Sequence, residues 1–145
     1  MYSAAAIAPD GGTVYVVYMS EDADFQPITA TVRPLSGVMR MATVVDGEPG
    51  PWTTVYDGPS GDARGTSQGR ILYNEFLGDY VYAIATATYG AGVWTDVRGT
   101  VDCPAMDDWR QDSFDAGRRV FPAPWPLGDC TGDFGNNDIF SATTG

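Results

Sequence analysis

The first third of the chain alternates apolar strands with polar turns. Residues 2–19, YSAAAIAPDGGTVYVVYMS, read as two strands around an Asp-Gly-Gly turn at 10–12. Asp-Gly pairs accept the positive φ that tight hairpin turns demand. In TVYVVY both alternating sets of side chains are apolar or aromatic, which predicts a strand covered on both faces. SEDADFQPITATVRPLSG, 20–37, is polar, contains two prolines and reads as a long loop. GVMRMATV and WTTVYDG then supply two more strands around the turn VDGEPGP, with its turn residues at 46–51. Two hairpins in succession predict a four-stranded antiparallel meander over residues 2–57.

GPSGDARGTSQGR is rich in Gly and Ser, lacks periodicity and reads as a connection. In EFLGDYVYAIATATYGAGVWTDVRG, 75–99, the pattern returns as a strand, a turn at 89–92 and a second strand. Residues 99–135 form a proline-rich excursion holding both cysteines, and NNDIFSATT closes the chain as a short strand. No segment places apolar residues at helical spacing, so the expected class is all-β without helices. AAAIAPDGGTVYVVYMS and YAIATATYGAGVWTDVR make a weak internal repeat, about 78 residues apart. Strands apolar on both faces and grouped in meanders suit sheets stacked around an axis, as in a β-propeller. A β-sandwich is the competing architecture, but its outer faces would be polar. The expected division is a partial propeller over 1–145, with one blade at 1–60 and a second at 61–145 interrupted by the insertion 99–135.

Composition narrows the chemistry. The 145 residues include 16 Asp, 3 Glu and 8 Arg, with no Lys or His, for a net charge of −11. That balance argues against nucleic acid and against an anionic membrane surface, both of which need clustered cations. Without histidine, neither a Ser-His-Asp nor a Cys-His site is available, and two cysteines alone cannot complete a four-ligand zinc site. The chemistry left belongs to Asp, Glu, Tyr, Arg, Ser and Thr. No apolar run approaches the ~20 residues of a membrane-spanning helix, and the first residues lack the basic and apolar regions of a signal peptide.

SGDARG, EFLGDYVYA, VWTDVR, DCPAMDDWRQ, a later DC and FGNNDIF occur here in that order. This series, spanning nearly the whole chain, resembles the C-terminal end of secreted bacterial sialidase-like propellers, the six-bladed exo-α-sialidase or BNR-repeat group. The family's Asp-box, Ser-x-Asp-x-Gly-x-Thr-Trp, has a counterpart in TVVDGEPGPW, with Asp46, Gly47, Gly50 and Trp52 but different spacing and a proline before Trp52. An Asp-box implies a carboxylate accepting turn N–H groups and a tryptophan packed between sheets. The resemblance further implies a secreted glycoside hydrolase acting on glycoconjugates, or a non-catalytic carbohydrate- or protein-binding propeller on the same scaffold. The partners implied are the remainder of the propeller, or other chains completing the ring, together with carbohydrate. In a secreted protein Cys103 and Cys130, the only cysteines, are expected to bond and close the excursion.

Sialidase chemistry needs a nucleophilic Tyr partnered by Glu, and Tyr80 with Glu75 is the weak candidate pair. Asp79, Asp96 and Arg98 lie at strand mouths, where a propeller gathers ligand-binding groups around its channel. Each has a structural alternative. Asp79 can cap turn amides, Asp96 can pair with Arg98 or another arginine, and Glu75 can pin a loop. Tyr80 and Tyr82 share one strand face, which suits core packing. Asp62 and Arg64 suit a local ion pair holding their loop. No cofactor is required by the pattern. The acidic stretches EDAD and GDCTGDFGNND make Asp22, Asp24, Asp133 and Asp138 weak candidates for Ca²⁺, without EF-hand spacing.

Overall fold

In the computed structural model, which describes residues 2–24, 27–66 and 80–145, the fold is mostly antiparallel β. Strands β1 (Ser3–Ile7) and β2 (Thr13–Glu21) form the first hairpin, with Gly11 at φ 73° in its turn. β2 pairs along its whole length with β3 (Pro34–Val45). The far side of β3 carries β4 (Glu48–Pro49), β5 (Thr53–Asp57) and β6 (Gly61–Asp62) in turn. The expected meander is therefore β1-β2-β3-β5. Asp46 and Gly47, at φ 54° and 83°, make the tight turn after β3. β2 and β3 both run further into the stretch read as loop, and Glu21 pairs with Leu35.

A second sheet has the order β7-β8-β9, from β7 (Tyr82–Ala85), β8 (Gly90–Asp96) and β9 (Asp138–Thr143). The closing strand expected in NNDIFSATT is β9, and it adds beside β8. The turn before β8 is not at 89–92. It lies at 86–89, where the Thr86 amide donates to the Tyr89 carbonyl, and Gly90 and Gly92 are strand residues.

Packing explains those glycines. The ring of Tyr15 lies against Gly90 and the side chain of Val17 against Gly92, while the Trp94 indole lies against Gly37 of β3. A Cβ at any of the three would overlap its neighbour, so the sequence leaves side chains out where the sheets press closest. Gly92→Ala should therefore lower stability by about 1–3 kcal/mol through overpacking. Chemical denaturation of the variant checks this, and an unchanged midpoint would contradict the close approach.

The same contacts fix how the sheets face each other. Moving from Tyr15 to Val17 along β2 parallels moving from Gly90 to Gly92 along β8, so these strands run the same way. β1 lies against β7 and β2 against β8. Like strands are abreast and co-directional, so the front of the first sheet meets the back of the second. Between them sit Tyr15, Val17, Met19, Leu35, Met39, Val81 and Trp94, all at least nine-tenths buried. The outward positions of β2, Val14, Val16 and Tyr18, are only half-buried, so the expectation of cover on both faces holds for one face alone. Tyr80 and Tyr82 are each 62% exposed instead of forming core, because inward positions on β7 belong to Ala83 and Ala85.

The excursion corrects the expectation of a helix-free chain. Helix α1 (Pro104–Asp115) starts with Pro104 in its first turn, where a missing N–H is harmless. A short α2 (Pro126–Asp129) follows. The helical period is hard to read because α1 buries Asp107, Arg110 and Ser113 beside Met106 and Trp109. Cys103, Met106 and Trp109 build a second small core. Cys103 and Cys130 are bonded across 27 residues. In the chain-entropy account that closure stabilises the fold by about 3–4 kcal/mol. Reduction, or Cys130→Ser, should lower the unfolding free energy by that amount, and a shift under 1 kcal/mol by calorimetry would contradict it. No described helix is long and apolar enough to cross a membrane.

Candidate functional site

Residues 62–66 and 96–100 share the sequence Asp-x-Arg-Gly-Thr, and they share its hydrogen bonds. Asp62 Oδ1 accepts from the Arg64 amide at 3.1 Å, while Oδ2 accepts from Arg64 Nε at 2.9 Å and Nη2 at 2.7 Å. Asp96 Oδ1 accepts from the Arg98 amide at 2.9 Å and from Nε at 2.8 Å, and its Oδ2 accepts from Nη2 at 2.6 Å. The threonine hydroxyls close both turns, Thr66 donating to the Ala63 carbonyl at 2.7 Å and Thr100 to Val97 at 2.8 Å. An Asp bonded to the N–H two residues on builds the turn from its own side chain. Here the same carboxylate grips the guanidinium that follows. The two turns meet at Thr100, whose single hydroxyl proton is shared between the Val97 carbonyl and the Asp62 carbonyl, 2.7 Å away.

Further partners fill both pairs. Asp62 takes the Arg33 amide at 3.2 Å. Asp96 takes the Trp94 indole N–H at 3.0 Å, tying the turn to the residue between the sheets. Arg98 donates to the Tyr56 hydroxyl at 3.2 Å and stacks 3.9 Å from the Phe140 ring centre. Arg64 reaches from the 3₁₀ turn Ala63–Gly65 to α1, donating to Asp107 Oδ2 at 2.9 Å and to the Ala30 carbonyl at 2.8 Å. Asp102 lies 3.4 Å from its Nη2. Arg110 returns the contact, donating to the carbonyls of Arg64 at 2.8 Å and Thr66 at 2.9 Å. Arg64, Asp107 and Arg110 are all buried. This charged cluster is what fastens the excursion to the first sheet.

Burial alone would raise the pKa of Asp62, but hydrogen bonds from the Arg64 side chain and backbone outweigh it and hold the carboxyl below its ordinary 3.8. Asp96 follows the same course, with burial opposed by Arg98 and the Trp94 indole. Both carboxylates have four donors and no remaining proton to lend, so neither can serve as a general acid near neutrality. The sign for stability follows from the depressed values. Each group's contribution is fully present above its unfolded pKa and is lost as pH falls through the lower folded value. Unfolding free energy should be flat near neutrality and fall below about pH 4. Midpoints in urea between pH 7 and pH 2 test this, and stability that rises on acidification would overturn it.

The sequence-named residues scatter. Asp96 and Arg98 pair with each other, and Asp62 pairs with Arg64. Glu75 and Asp79 lie outside the described residues, while Tyr80 is exposed. Asp22 accepts from the Ser36 hydroxyl at 3.2 Å, and Asp138 opens β9 opposite Asp96. Asp24 and Asp133 are exposed. Among the described residues no cluster of three carboxylates or thiolates could hold a metal ion. Trp52 is 38% exposed and does not lie between the sheets; Trp94 does. The residues missed in the sequence are Asp107 and Arg110, for which the local sequence carried no signal; the repeated DARGT and DVRGT marked only the two turns. A shallow groove of about 680 Å³ also runs along α1, between Trp109, Phe121 and Pro122, with Asp108 and Asp112 on its rim.

Comparison with protein-family models, curated proteins and solved structures gives no match for this chain.

Proposed function

We propose that this chain contributes two successive sheets to a secreted, sialidase-like β-propeller whose ligands are glycoconjugates. The carrying observation is the front-to-back stacking of two sheets with like strands abreast, the relation that successive propeller blades repeat around their axis. The Cys103 to Cys130 bond suits an oxidising, extracellular setting. In this reading the paired Asp-x-Arg turns are scaffold. Glycoside hydrolysis falls to a tyrosine nucleophile activated by a carboxylate, with Tyr80 and Glu75 the pair this chain offers. Ligand contacts at the channel fall to groups such as Asp79.

A second reading keeps the scaffold without the chemistry: a non-catalytic propeller that binds carbohydrate or protein. A fluorogenic N-acetylneuraminide separates the two. Hydrolysis that drops at least ~100-fold in Tyr80→Phe supports the enzyme. Retention on a sialylated glycoprotein column without hydrolysis supports the binding module. Neither activity at any protein concentration would set aside the glycoconjugate reading.

A further inference from the structure

The hairpin registers identify which faces of the two sheets correspond. In the first sheet the pairs Ala4 with Val17 and Ala6 with Tyr15 point at the second sheet. In the repeat, the matching cross-strand pairs are Tyr82 with Val93 and Ile84 with Ala91. These point the other way, out of the second sheet. Conversely, the inward pairs of the second sheet, Ala83 with Gly92 and Ala85 with Gly90, match Ala5 with Val16 and Ile7 with Val14 on the outer face of the first. Each copy therefore displays, on its two outer faces, the register positions that correspond to the two halves of its internal contact, with Val14 and Val16 standing where that contact has Gly90 and Gly92.

The character of those faces agrees. Tyr82 and Ile139 are each 62% exposed, Ile84 is 55% and Ile7 is 58%. In a chain with 27 charged residues (19 acidic and 8 basic), the outward positions Tyr82, Ile84, Ala91, Val93, Ile139 and Ser141 carry no charge. The facing set on the first sheet has one cation, Arg40, whose Nη2 donates to the Trp52 carbonyl at 3.4 Å. A contiguous apolar face of this kind marks an association surface.

We propose that the outer face of the β7-β8-β9 sheet docks on the outer face of the β1-β2-β3 sheet of a second copy of this chain, head to tail. This rests on the front-to-back reading above and names the partner. A heterologous contact closes into a ring when its rotation divides a full turn. The expected particle is therefore a closed ring of whole copies, with a mass that is a multiple of 15.5 kDa.

The test is light scattering on the chain and two variants, Ile84→Asp and Ile7→Asp, each at a position already more than half exposed in the single copy. Cooperative unfolding of each variant confirms its fold, and Ile139→Asp serves in place of Ile84→Asp if that one does not fold. Wild type should scatter as a closed oligomer, and each variant as a monomer of 15.5 kDa. Mixing the variants should restore a one-to-one dimer, because one keeps an intact first-sheet face and the other an intact second-sheet face. A monomeric wild type, a mixture that stays monomeric, or oligomers unaffected by Ile7→Asp would each overturn the docking. Failure of the underlying reading looks different. A chain without proton contacts between Tyr15 and Gly90 loses the internal stacking itself, whereas a monomer that keeps them loses only the second copy.

Discussion

Replacing Arg64 by methionine is expected to lower the unfolding free energy by about 3–5 kcal/mol, the range for removing one member of a buried ion pair. Its side chain is 9% exposed and Asp107's is 2%, so water cannot take its place at that carboxylate. Arg110 remains, but 3.7 Å away, and two of its donors already serve the carbonyls of Arg64 and Thr66. Asp62 would lose its two guanidinium bonds as well. Against the usual total of about 5–15 kcal/mol, such a loss leaves the fold near its threshold. Arg118→Met, at an exposed position, is the control and should stay within about 0.5 kcal/mol. Urea denaturation of both variants reads the difference. A loss below 1 kcal/mol at Arg64 would mean that the excursion is not fastened through this cluster.

Trp94→Ala should be of similar size, about 3–5 kcal/mol, by loss of buried area and creation of a cavity. Trp94 has no exposed surface and lies against Gly37 of the opposing sheet. Its ring centre is 5.4 Å from that of Tyr56, an approach typical of favourable aromatic pairs. The indole N–H also holds Asp96, so the truncation would loosen the second Asp-x-Arg turn together with the packing. Trp94→Phe separates the two effects, since it keeps most of the volume and removes only the donor. It should lose about 1–3 kcal/mol, the range for stranding a buried acceptor. Equal losses for Ala and Phe would assign the whole effect to the hydrogen bond.

Much of the sheet structure was legible because it is written in turn chemistry and alternation. The Asp10 and Asp46 turns fix the meander, and the apolar run in NNDIFSATT finds its place beside β8. Gly90 and Gly92 misled because a glycine pair signals a turn as strongly as a close approach, and only the opposing Tyr15 and Val17 decide between them. Helix α1 was hidden because its buried stripe is half charged: Asp107 and Arg110 occupy positions where an apolar period would put leucines. Tyr82 misled in the opposite sense, being an aromatic strand residue that faces outward. The local ion pairs of Asp62 with Arg64 and Asp96 with Arg98 could be read from two-residue spacing. The reach of Arg64 to Asp107 on α1 could not, since it joins residues 43 apart in the chain.

The central claim is that the two sheets stack front to back with like strands abreast. Proton contacts measured by nuclear magnetic resonance test it most directly. The account predicts contacts from the Tyr15 ring to Gly90, from the Val17 methyls to Gly92 and from the Trp94 indole to Gly37, all in one sample. Contacts in the reverse order, with Tyr15 near Trp94 and Met19 near Gly90, would place β2 and β8 antiparallel and contradict the front-to-back stacking.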